Sequence, residues 1–361
     1  MCISERTKKL FGVALDPADD PWTLQLKQAW MTANHRGLDW LIACRDPYDA
    51  VIGSMADMLE RHHIEPTGKF PVPSWLWPKP NPTDLPYVTV GNMENFFDSG
   101  DLLEITKQIK SFVKEKILPE IPVMLGIDHS ATAGVVSALS ERYGPDNLSV
   151  VVLDQHFDAI PLSVRLEGLA QSKPDAESGL PFAMPSTPIG FSDQFCCGNF
   201  WAYLMDNGTV LTKNLVFIGV ADYPSRENEP QKNSYRKMYL DYEERGCSFF
   251  PRERFDGQYT DILRGFIRER INTPYVYISL DLDVGSYAGT DAARYMDRPG
   301  ISEQNLLDIA RIVTDECRRG RFTIAGLDIM EFNMHFLGLE MPDGIKDTTL
   351  SMVEKFIAEL T

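Results

Sequence analysis

Aspartate and histidine side chains directly follow the strongest strand pattern in the chain. Four apolar residues, 150–153, run into Asp154, His156 and Asp158. Because side-chain direction alternates along a strand, these three side chains are expected to project to one side at its carboxyl end. Carboxylates and imidazoles together suit a divalent metal such as manganese, iron, nickel or zinc. The alternative is a solvated turn in which Asp154 caps the next element.

Three further predicted strands end in residues of the same chemical type. His129 follows one apolar run, and Asp281 and Asp283 follow a second. Glu331 lies just beyond a third. Parallel strands bring their carboxyl ends to one edge of the sheet, where ligands bind, so we expect these residues to meet. The alternative is a set of polar residues that cap strand ends.

The predicted ligand set is too large for one ion with an open coordination position. The candidate metal ligands are His129, Asp154, His156, Asp158, Asp281 and Asp283. Two imidazoles and four carboxylates suit two divalent ions about 3.5–4 Å apart, which share bridging carboxylates and a water.

Strand and helix patterns alternate from residue 87 onward. This order predicts an α/β fold with a mostly parallel sheet and helices on both faces. Residues 87–90 favour a short strand, whereas residues 1–65 are polar and helix-leaning. Residues 66–86 are proline-dense and contain two tryptophans, which indicates an ordered loop packed on the body or a linker. We therefore expect residues 1–86 to be a helical and proline-rich N-terminal extension on an α/β domain of residues 87–361.

The charge balance limits the possible partners. The chain has 361 residues, with 35 basic and 52 acidic side chains and a net charge of -17. Nucleic-acid binding needs a basic patch, so neither nucleic acid nor an anionic membrane is an expected partner. No apolar run reaches the roughly 18 residues of a membrane span, and no signal peptide is recognisable at the N-terminus. Six cysteines without a CxxC pair fit a reducing compartment, so we expect a cytoplasmic protein.

The strand ends resemble, in order, the motifs of the ureohydrolases, the family of arginase and agmatinase. Gly126-Ile-Asp-His-Ser130 is similar to the GGDHS motif, and Asp154-Gln-His-Phe-Asp158 to DAHxD. Ser279-Leu-Asp-Leu-Asp283 resembles SxDxD, and residues 328–333 resemble DxxExN. The resemblance extends over about residues 98–360.

This resemblance implies a three-layer α/β/α sandwich with two metal ions, usually manganese, although nickel or iron would also suit the ligands. One ion would be held by His129, Asp154, Asp158 and Asp281, and the other by Asp154, His156, Asp281 and Asp283. Asp158 and Glu331 would be catalytic, and Glu331 would also receive the guanidinium group of a cationic guanidino substrate. Family members commonly form trimers or hexamers, so a homo-oligomer is expected.

The implied reaction is hydrolysis of a guanidino compound to urea and an amine by a metal-bridging hydroxide. No histidine lies between His156 and His335, although family members carry a His-Gly pair in this interval. Cys197-Gly198 stands there instead; Cys197 and Asn199 are expected to contact substrate, and His335 is a candidate proton shuttle. Residues 160–193 have no period and predict a functional or disordered loop, so the expected substrate is not simply arginine or agmatine. The alternatives are a non-catalytic or regulatory homologue and a metal-dependent amide deacetylase.

Overall fold

An eight-stranded sheet forms the centre of the protein in the computed structural model. The structure describes residues 6–18, 20–35, 44–164, 193–224, 234–340, 344 and 346–361. The strands, β1 to β8 in chain order, are Lys8–Val13, Ile64–Lys69, Ile121–Gly126, Leu148–Leu153, Leu215–Ile218, Ser248–Phe250, Tyr275–Asp281 and Thr323–Met330. Their order across the sheet is β2-β1-β3-β8-β7-β4-β5-β6, and every neighbouring pair is parallel.

Helices connect the strands. Within the described parts of the chain they are, as α1 to α11, Pro21–His35, Pro47–Ser54, Ala56–Arg61, Val90–Asp98, Asp101–Phe112, Thr132–Tyr143, Phe200–Asp206, Ser234–Glu244, Thr260–Arg270, Glu303–Arg318 and Thr349–Leu360. A π-helical turn, Val113–Ile117, extends α5. Short 3-10 turns lie at Ser74–Leu76, Pro82–Asp84, His129–Ala131, Pro145–Asn147, Thr212–Asn214, Arg252–Phe255 and Leu282–Gly285. None of the described helices combines the length and apolarity that a membrane span requires.

Both faces of the sheet are buried under helices. Along β4, Val150 and Val152 belong to one apolar cluster and Val151 and Leu153 to another, because successive side chains point to opposite faces. The first cluster includes residues of α5, α6 and α7, and the second includes residues of α3, α10 and α11. A parallel sheet covered on both faces has near-continuous apolar strands, as the run at 150–153 shows. The predicted three-layer α/β/α sandwich is confirmed.

The N-terminal part of the chain is built into this sheet. The helices expected within residues 1–65 are present as α1 to α3, but β1 and the start of β2 lie in the same range, which corrects the expectation of helical material alone. β1 lies between β2 and β3 and pairs with both. Leu10 and Phe11 of β1 are completely buried, each in a different apolar cluster. The sheet therefore crosses the expected boundary at residue 87, and residues 1–86 are more than an extension packed on its surface.

Polar residues and a proline made these two strands difficult to recognise in the sequence. β1 begins with two lysines, and Lys8 is buried with its Nζ 2.8 Å from the carbonyl oxygen of His62, to which it donates. β2 contains Pro66 and Gly68 and lies at the edge of the sheet. An edge strand tolerates a proline because one of its sides needs no ladder hydrogen bonds.

The proline-dense segment after β2 is ordered and packed on the body, as one of the two sequence interpretations expected. The indole nitrogen of Trp77 donates to the carbonyl oxygen of Val72 at 2.8 Å, and Leu76 is fully buried. Trp75 packs edge-on against Phe96 with ring centroids 5.6 Å apart.

The predicted strand at residues 87–90 is wrong, because this segment leads into α4. The side chain of Thr89 accepts a hydrogen bond from the backbone N–H of Asn92 at 3.3 Å and so caps the helix. Tyr87 and Val90 are both exposed, so the alternating pattern buries no face.

We expect β1 to contribute to global stability as a core strand does. Phe11 is fully buried, with its ring 5.5 Å from that of Phe112, so Phe11→Ala should lower the free energy of unfolding by about 3–5 kcal/mol. Ile262→Ala on the exposed face of α9 is the control, with an expected change within about 0.5 kcal/mol. Denaturant unfolding measures both, and a Phe11→Ala protein as stable as the control would contradict a core role for β1.

Candidate metal centre

Four adjacent strands in the middle of the sheet, in the order β3-β8-β7-β4, bring their carboxyl ends together. His129 follows β3, Glu331 follows β8, Asp281 ends β7 and Asp154 follows β4. All four residues are at least 98% buried. The predicted meeting of strand-end residues is therefore present, at the edge where parallel α/β sheets bind ligands.

The first group of candidate ligands surrounds His129. One ligand atom from each of His129, Asp154, Asp158 and Asp281 lies within 4.8 Å of all the others. Nδ1 of His129 is 3.1 Å from Oδ2 of Asp158, 3.1 Å from Oδ2 of Asp281 and 3.5 Å from Oδ2 of Asp154. These are the four residues that the resemblance implies for one ion.

The second group comprises Asp154, His156 and Asp283. Nδ1 of His156 lies 2.8 Å from Oδ2 of Asp283 and 3.8 Å from Oδ1 of Asp154. Asp154 thus belongs to both groups. Asp281 belongs to the first group alone in this geometry, whereas the resemblance assigned it to both ions.

Burial and neighbouring carboxylates raise the pKa of Asp154 and of Asp283. Burial raises the pKa of Asp154 well above its ordinary value, and Asp158, Asp281 and Asp283 add to the effect. Burial, followed by the charge of Asp281, raises the pKa of Asp283 to about 8, although His156 opposes this shift. Without a cation, Asp154 and Asp283 would favour their protonated forms near neutral pH.

The donor atoms at this position fit divalent metal ions. Oδ2 of Asp154 and Oδ2 of Asp283 are buried and accept no hydrogen bond from the residues that the structure describes, although Nδ1 of His156 lies 2.8 Å from the latter. Buried, unsatisfied carboxylate oxygens are costly, and coordination to a divalent cation would remove both the lost hydration and the mutual repulsion. Carboxylate oxygen with imidazole nitrogen is also the donor set that manganese, iron, nickel and zinc accept.

A serine and a further aspartate orient His129. The Ser279 hydroxyl donates to Oδ1 of Asp328 at 2.7 Å, and its oxygen lies 2.9 Å from Nε2 of His129. Since Ser279 has one hydroxyl proton, its oxygen must accept from Nε2–H, which leaves Nδ1, on the side of the carboxylates, as the nitrogen available to a metal ion. Asp328 also accepts from Thr132 at 2.6 Å and from Tyr277 at 2.5 Å. The sequence motif contained Ser279 without indicating this role.

Asp297 lies beside Nε2 of His156, as Ser279 lies beside Nε2 of His129. Its Oδ1 lies 3.2 Å from Nε2 of His156 and accepts a hydrogen bond from the Gln155 side chain at 2.8 Å. With Nε2 turned toward Asp297, Nδ1 faces Asp283. Sequence reasoning missed Asp297 because it lies in the irregular segment between β7 and α10, which has no period to mark it.

Glu331 connects two strand ends through strained backbone. Its φ of 62° is unusual for a residue with a side chain, and its N–H donates to the carbonyl oxygen of Ile127 at 2.9 Å. Oε1 accepts a hydrogen bond from the backbone N–H of His129 at 3.0 Å. Burial raises the pKa of Glu331, while Arg294, whose Nε lies 3.5 Å from Oε2, opposes that rise. The predicted guanidinium receptor thus already faces a guanidinium of the same chain, which sequence reasoning did not anticipate.

The turn that precedes α7 approaches the centre through Phe200, whose ring packs edge-on 4.9 Å from that of His129. The Asn199 side-chain oxygen accepts from the N–H of Cys196 at 3.0 Å, and its amide donates to a carbonyl of the same turn at 2.7 Å. Both ends of Asn199 therefore shape the turn. Cys197 is half-buried there and belongs to neither ligand group. Substrate contact by either residue stays a prediction, and residues 165–192 of the expected loop lie outside the described residues.

His335 does not have the properties of a proton shuttle near neutral pH. Burial lowers its pKa to about 4; Asp16 opposes the shift, and Lys79, Lys27 and Arg294 reinforce it. A general acid or base works best when its pKa lies near the working pH. His335 is therefore a neutral imidazole under those conditions.

We expect Ser279→Ala to weaken metal binding without unfolding the protein. Loss of the acceptor at Nε2 should free the ring of His129 to rotate or change tautomer and lower metal affinity by about 10–100-fold. Titration of the variant with Mn²⁺ against a chelator measures the effect. Ser140→Ala, whose hydroxyl bonds a remote carbonyl at 2.6 Å, is the matched control. Equal affinity in the two variants would show that Ser279 does not orient His129.

Several solved structures of other proteins resemble this chain in fold. No curated protein matches the sequence significantly. Among solved structures, the arginase of Bacillus caldovelox is 16% identical, with 98% of each chain covered and a TM-score of 0.58. The agmatine ureohydrolase of Thermoplasma volcanium is 16% identical over 100% of this chain and 92% of its own, with a TM-score of 0.54. Formimidoylglutamase from Bacillus subtilis is 13% identical over 100% and 90%, also with a TM-score of 0.54.

These structural similarities confirm the fold. The sequence profile of the arginase family matches residues 61–349, which is most of the chain and includes all four strand ends at the candidate centre. The match begins before β2 and therefore includes this strand of the sheet, whereas β1 lies outside the matched residues. The chain therefore belongs to the arginase family.

Proposed function

We propose that this chain is a binuclear metal-dependent hydrolase that cleaves a guanidino compound to urea and an amine. The observation that carries the proposal is the pair of ligand groups that share Asp154 at the carboxyl edge of the sheet. The names of the structural neighbours, an arginase and an agmatine ureohydrolase, are consistent with a guanidino substrate. The first group would hold one divalent ion and the second group the other. Two such ions, when bound, would lower the pKa of a water between them toward neutrality.

Asp158 is placed to handle the proton of the attacking water. It is 7% exposed, whereas His129, Asp154 and Asp281 are at most 2% exposed, so Asp158 is the member of the first group nearest to solvent. We propose that its carboxylate orients the water and accepts its proton during attack on the guanidino carbon. The same carboxyl group would then return that proton to the leaving amine, so that the proton taken from the water ends on the product.

Glu331 is proposed to position the group under attack. Its Oε1 accepts a hydrogen bond from the backbone N–H of His129, which holds the carboxylate next to the first ligand group. Its Oε2 accepts no hydrogen bond among the described residues, although Nε of Arg294 lies 3.5 Å away, and we propose that this oxygen receives an N–H of the substrate. The bound N–H would turn the guanidino carbon toward the water that Asp158 orients.

Metal identity, assembly and compartment belong to the same proposal. We propose Mn²⁺ as the metal, with Ni²⁺ or Fe²⁺ as alternatives that the donor set also suits. A trimer or hexamer and a cytoplasmic location stay predictions, the former from the resemblance and the latter from the cysteine pattern.

The activity test uses protein loaded with Mn²⁺, Ni²⁺ or Fe²⁺ and a broad panel of guanidino compounds. Release of urea and the matching amine is the expected result, and Asp158→Asn should lower kcat by about 100-fold or more. The variant must retain the metal content of the wild type, because only then does the loss report on proton transfer. A metal-replete wild type that cleaves no member of the panel would overturn the proposed function.

Metal analysis tests the shared carboxylate. We expect about two ions per chain in the wild type, and we expect Asp154→Asn to lose both because each group needs this side chain. Asp57→Asn, a change of the same kind on an exposed face of α3, should keep both ions. Full metal content in Asp154→Asn would exclude Asp154 as the bridge. One ion per chain in the wild type would favour the metal-dependent amide deacetylase instead.

A further inference from the structure

Gln155 lies between two of the candidate ligands, Asp154 and His156, and is completely buried. Its backbone N–H donates to Oδ1 of Asp283 at 3.1 Å, and its carbonyl oxygen accepts from the N–H of Ala221, beyond β5, at 2.8 Å. The main chain of Gln155 therefore holds another member of the second ligand group and connects the ends of β4 and β5. The DAHxD motif has alanine at this position, so the side chain of Gln155 is a departure from that motif.

This side chain holds a turn in the segment between β7 and α10. The amide nitrogen of Gln155 donates to Oδ1 of Asp297 at 2.8 Å and to the carbonyl oxygen of Tyr295 at 3.2 Å. Tyr295 has a φ of 53°, which is unusual for a residue with a side chain. Such a backbone conformation persists where the surrounding contacts impose it, and the Gln155 amide supplies two of those contacts.

Two further contacts fix the same turn. The hydroxyl of Tyr287 donates to the carbonyl oxygen of Met296 at 2.5 Å. Nη1 of Arg298 donates to the carbonyl oxygen of Ala221 at 3.0 Å. The turn is thus attached to segments that follow β4, β5 and β7, and the position of Asp297 depends on all three.

Asp297 in its turn orients His156. Oδ1 of Asp297 lies 3.2 Å from Nε2 of His156. An ionised carboxylate has no proton to donate, so Nε2 carries the proton and Nδ1 keeps its lone pair. Nδ1 lies 2.8 Å from Oδ2 of Asp283, and the backbone N–H of His156 donates to Oδ1 of Asp154 at 2.6 Å. Asp297 thereby presents the coordinating nitrogen of His156 to the other two members of the second ligand group.

The first ligand group has an orienting partner of its own. His129 is completely buried, and Ser279 meets its Nε2 from within β7. By contrast, the side chain of His156 is 13% exposed and that of Asp297 is 58% exposed. Irregular surface segments can change without the core of a sheet, so the partner of His156 can be altered while that of His129 stays in place.

We propose that Gln155 and Asp297 act together as positioning residues that set the affinity of the second ligand group for a divalent ion. This inference rests on the proposed binuclear centre and extends it to two side chains that belong to neither ligand group. Asp297 acts through His156, and Gln155 acts through Asp297. A partner that fixes the ring and the tautomer of a coordinating histidine contributes about 10–100-fold to metal affinity. The first group keeps its affinity without this pair, because Ser279 orients His129 independently.

Metal binding tests the proposal without any turnover. The wild type, Asp297→Ala and Gln155→Ala are each titrated with Mn²⁺ against a chelator. In both variants we expect one ion per chain to bind as in the wild type and the other to bind about 10–100-fold more weakly. Asp297→Asn keeps an oxygen that can accept from Nε2, so its loss should be smaller than that of Asp297→Ala. Unchanged binding in Asp297→Ala, or an equal loss of affinity for both ions, would overturn the proposal.

Electron paramagnetic resonance of bound Mn²⁺ identifies the weakened position. His156→Ala and His129→Ala each remove a ligand of one group, and each provides a reference spectrum for an ion held by the other group. At a Mn²⁺ concentration that fills one position per chain, Asp297→Ala should give the spectrum of His156→Ala. The spectrum of His129→Ala would contradict the proposal, because the ion would then be held by the second group.

A double-mutant cycle tests whether the pair acts as one unit. Because Gln155 acts through Asp297, Gln155→Ala/Asp297→Ala should lose no more affinity than Asp297→Ala alone. Additive losses would show two separate effects and contradict the joint role. Asp256→Ala, at an exposed aspartate before α9, is the matched control and should bind both ions as the wild type does.

The same measurements separate this inference from the proposed function. Selective weakening of one ion in Asp297→Ala supports the positioning role even if no guanidino compound is hydrolysed, and that silence would count against the proposed function alone. Hydrolysis by a wild type whose metal binding does not respond to Asp297→Ala would support the function and refute the positioning role. If Gln155→Ala fails to fold, Asp297→Ala and Asp297→Asn carry the test, since the Asp297 side chain is largely exposed.

Discussion

Repulsion among buried carboxylates is the interaction on which the rest of this structure depends. Asp154, Asp158, Asp281 and Asp283 converge within a few residues of two strand ends, and burial with mutual charge raises the pKa of Asp154 and Asp283. If the strands that carry these groups were not paired with each other, repulsion would move the carboxylates apart. Here β4 and β7 are paired along their length, and apolar layers on both faces of the sheet fix their ends. The stability of the sheet therefore keeps the carboxylates at a separation that divalent cations can use.

The two imidazoles of the centre are oriented by different kinds of partner. His129 is fully buried, and its outer nitrogen meets the hydroxyl of Ser279, which Asp328 holds from behind. His156 lies nearer to solvent, and its outer nitrogen meets Asp297 on an irregular segment. The first ligand group is thus supported by strands and the second in part by a loop. The second group is consequently the one whose geometry a change in that loop would alter first.

The sequence predicts those parts of the structure that local residue patterns determine, and it does not predict those that depend on the arrangement of distant segments. The apolar run at 150–153 and the residues after it were recognisable because a strand buried on both faces leaves a continuous pattern. β1 was missed because it contains the buried Lys8, whose ammonium group donates a hydrogen bond to the carbonyl oxygen of the distant residue His62. β2 was missed because it contains Pro66, which a sheet tolerates in an edge strand. Both exceptions depend on the position of a strand in the finished sheet, which local sequence does not encode.

The contact of Arg294 with Glu331 likewise depends on the folded arrangement of the chain, and it lies at the candidate site itself. The motif around Glu331 predicts a carboxylate that receives a cation, and the structure has such a carboxylate, buried at the end of β8. However, the segment after β7 folds back against the segment after β8 and places a guanidinium beside it. The chemical type of Glu331 is unchanged, but a guanidinium of the chain already lies 3.5 Å from its carboxylate. A contact of this kind changes what the carboxylate offers to an N–H group of a substrate without any change in the residues of the two ligand groups.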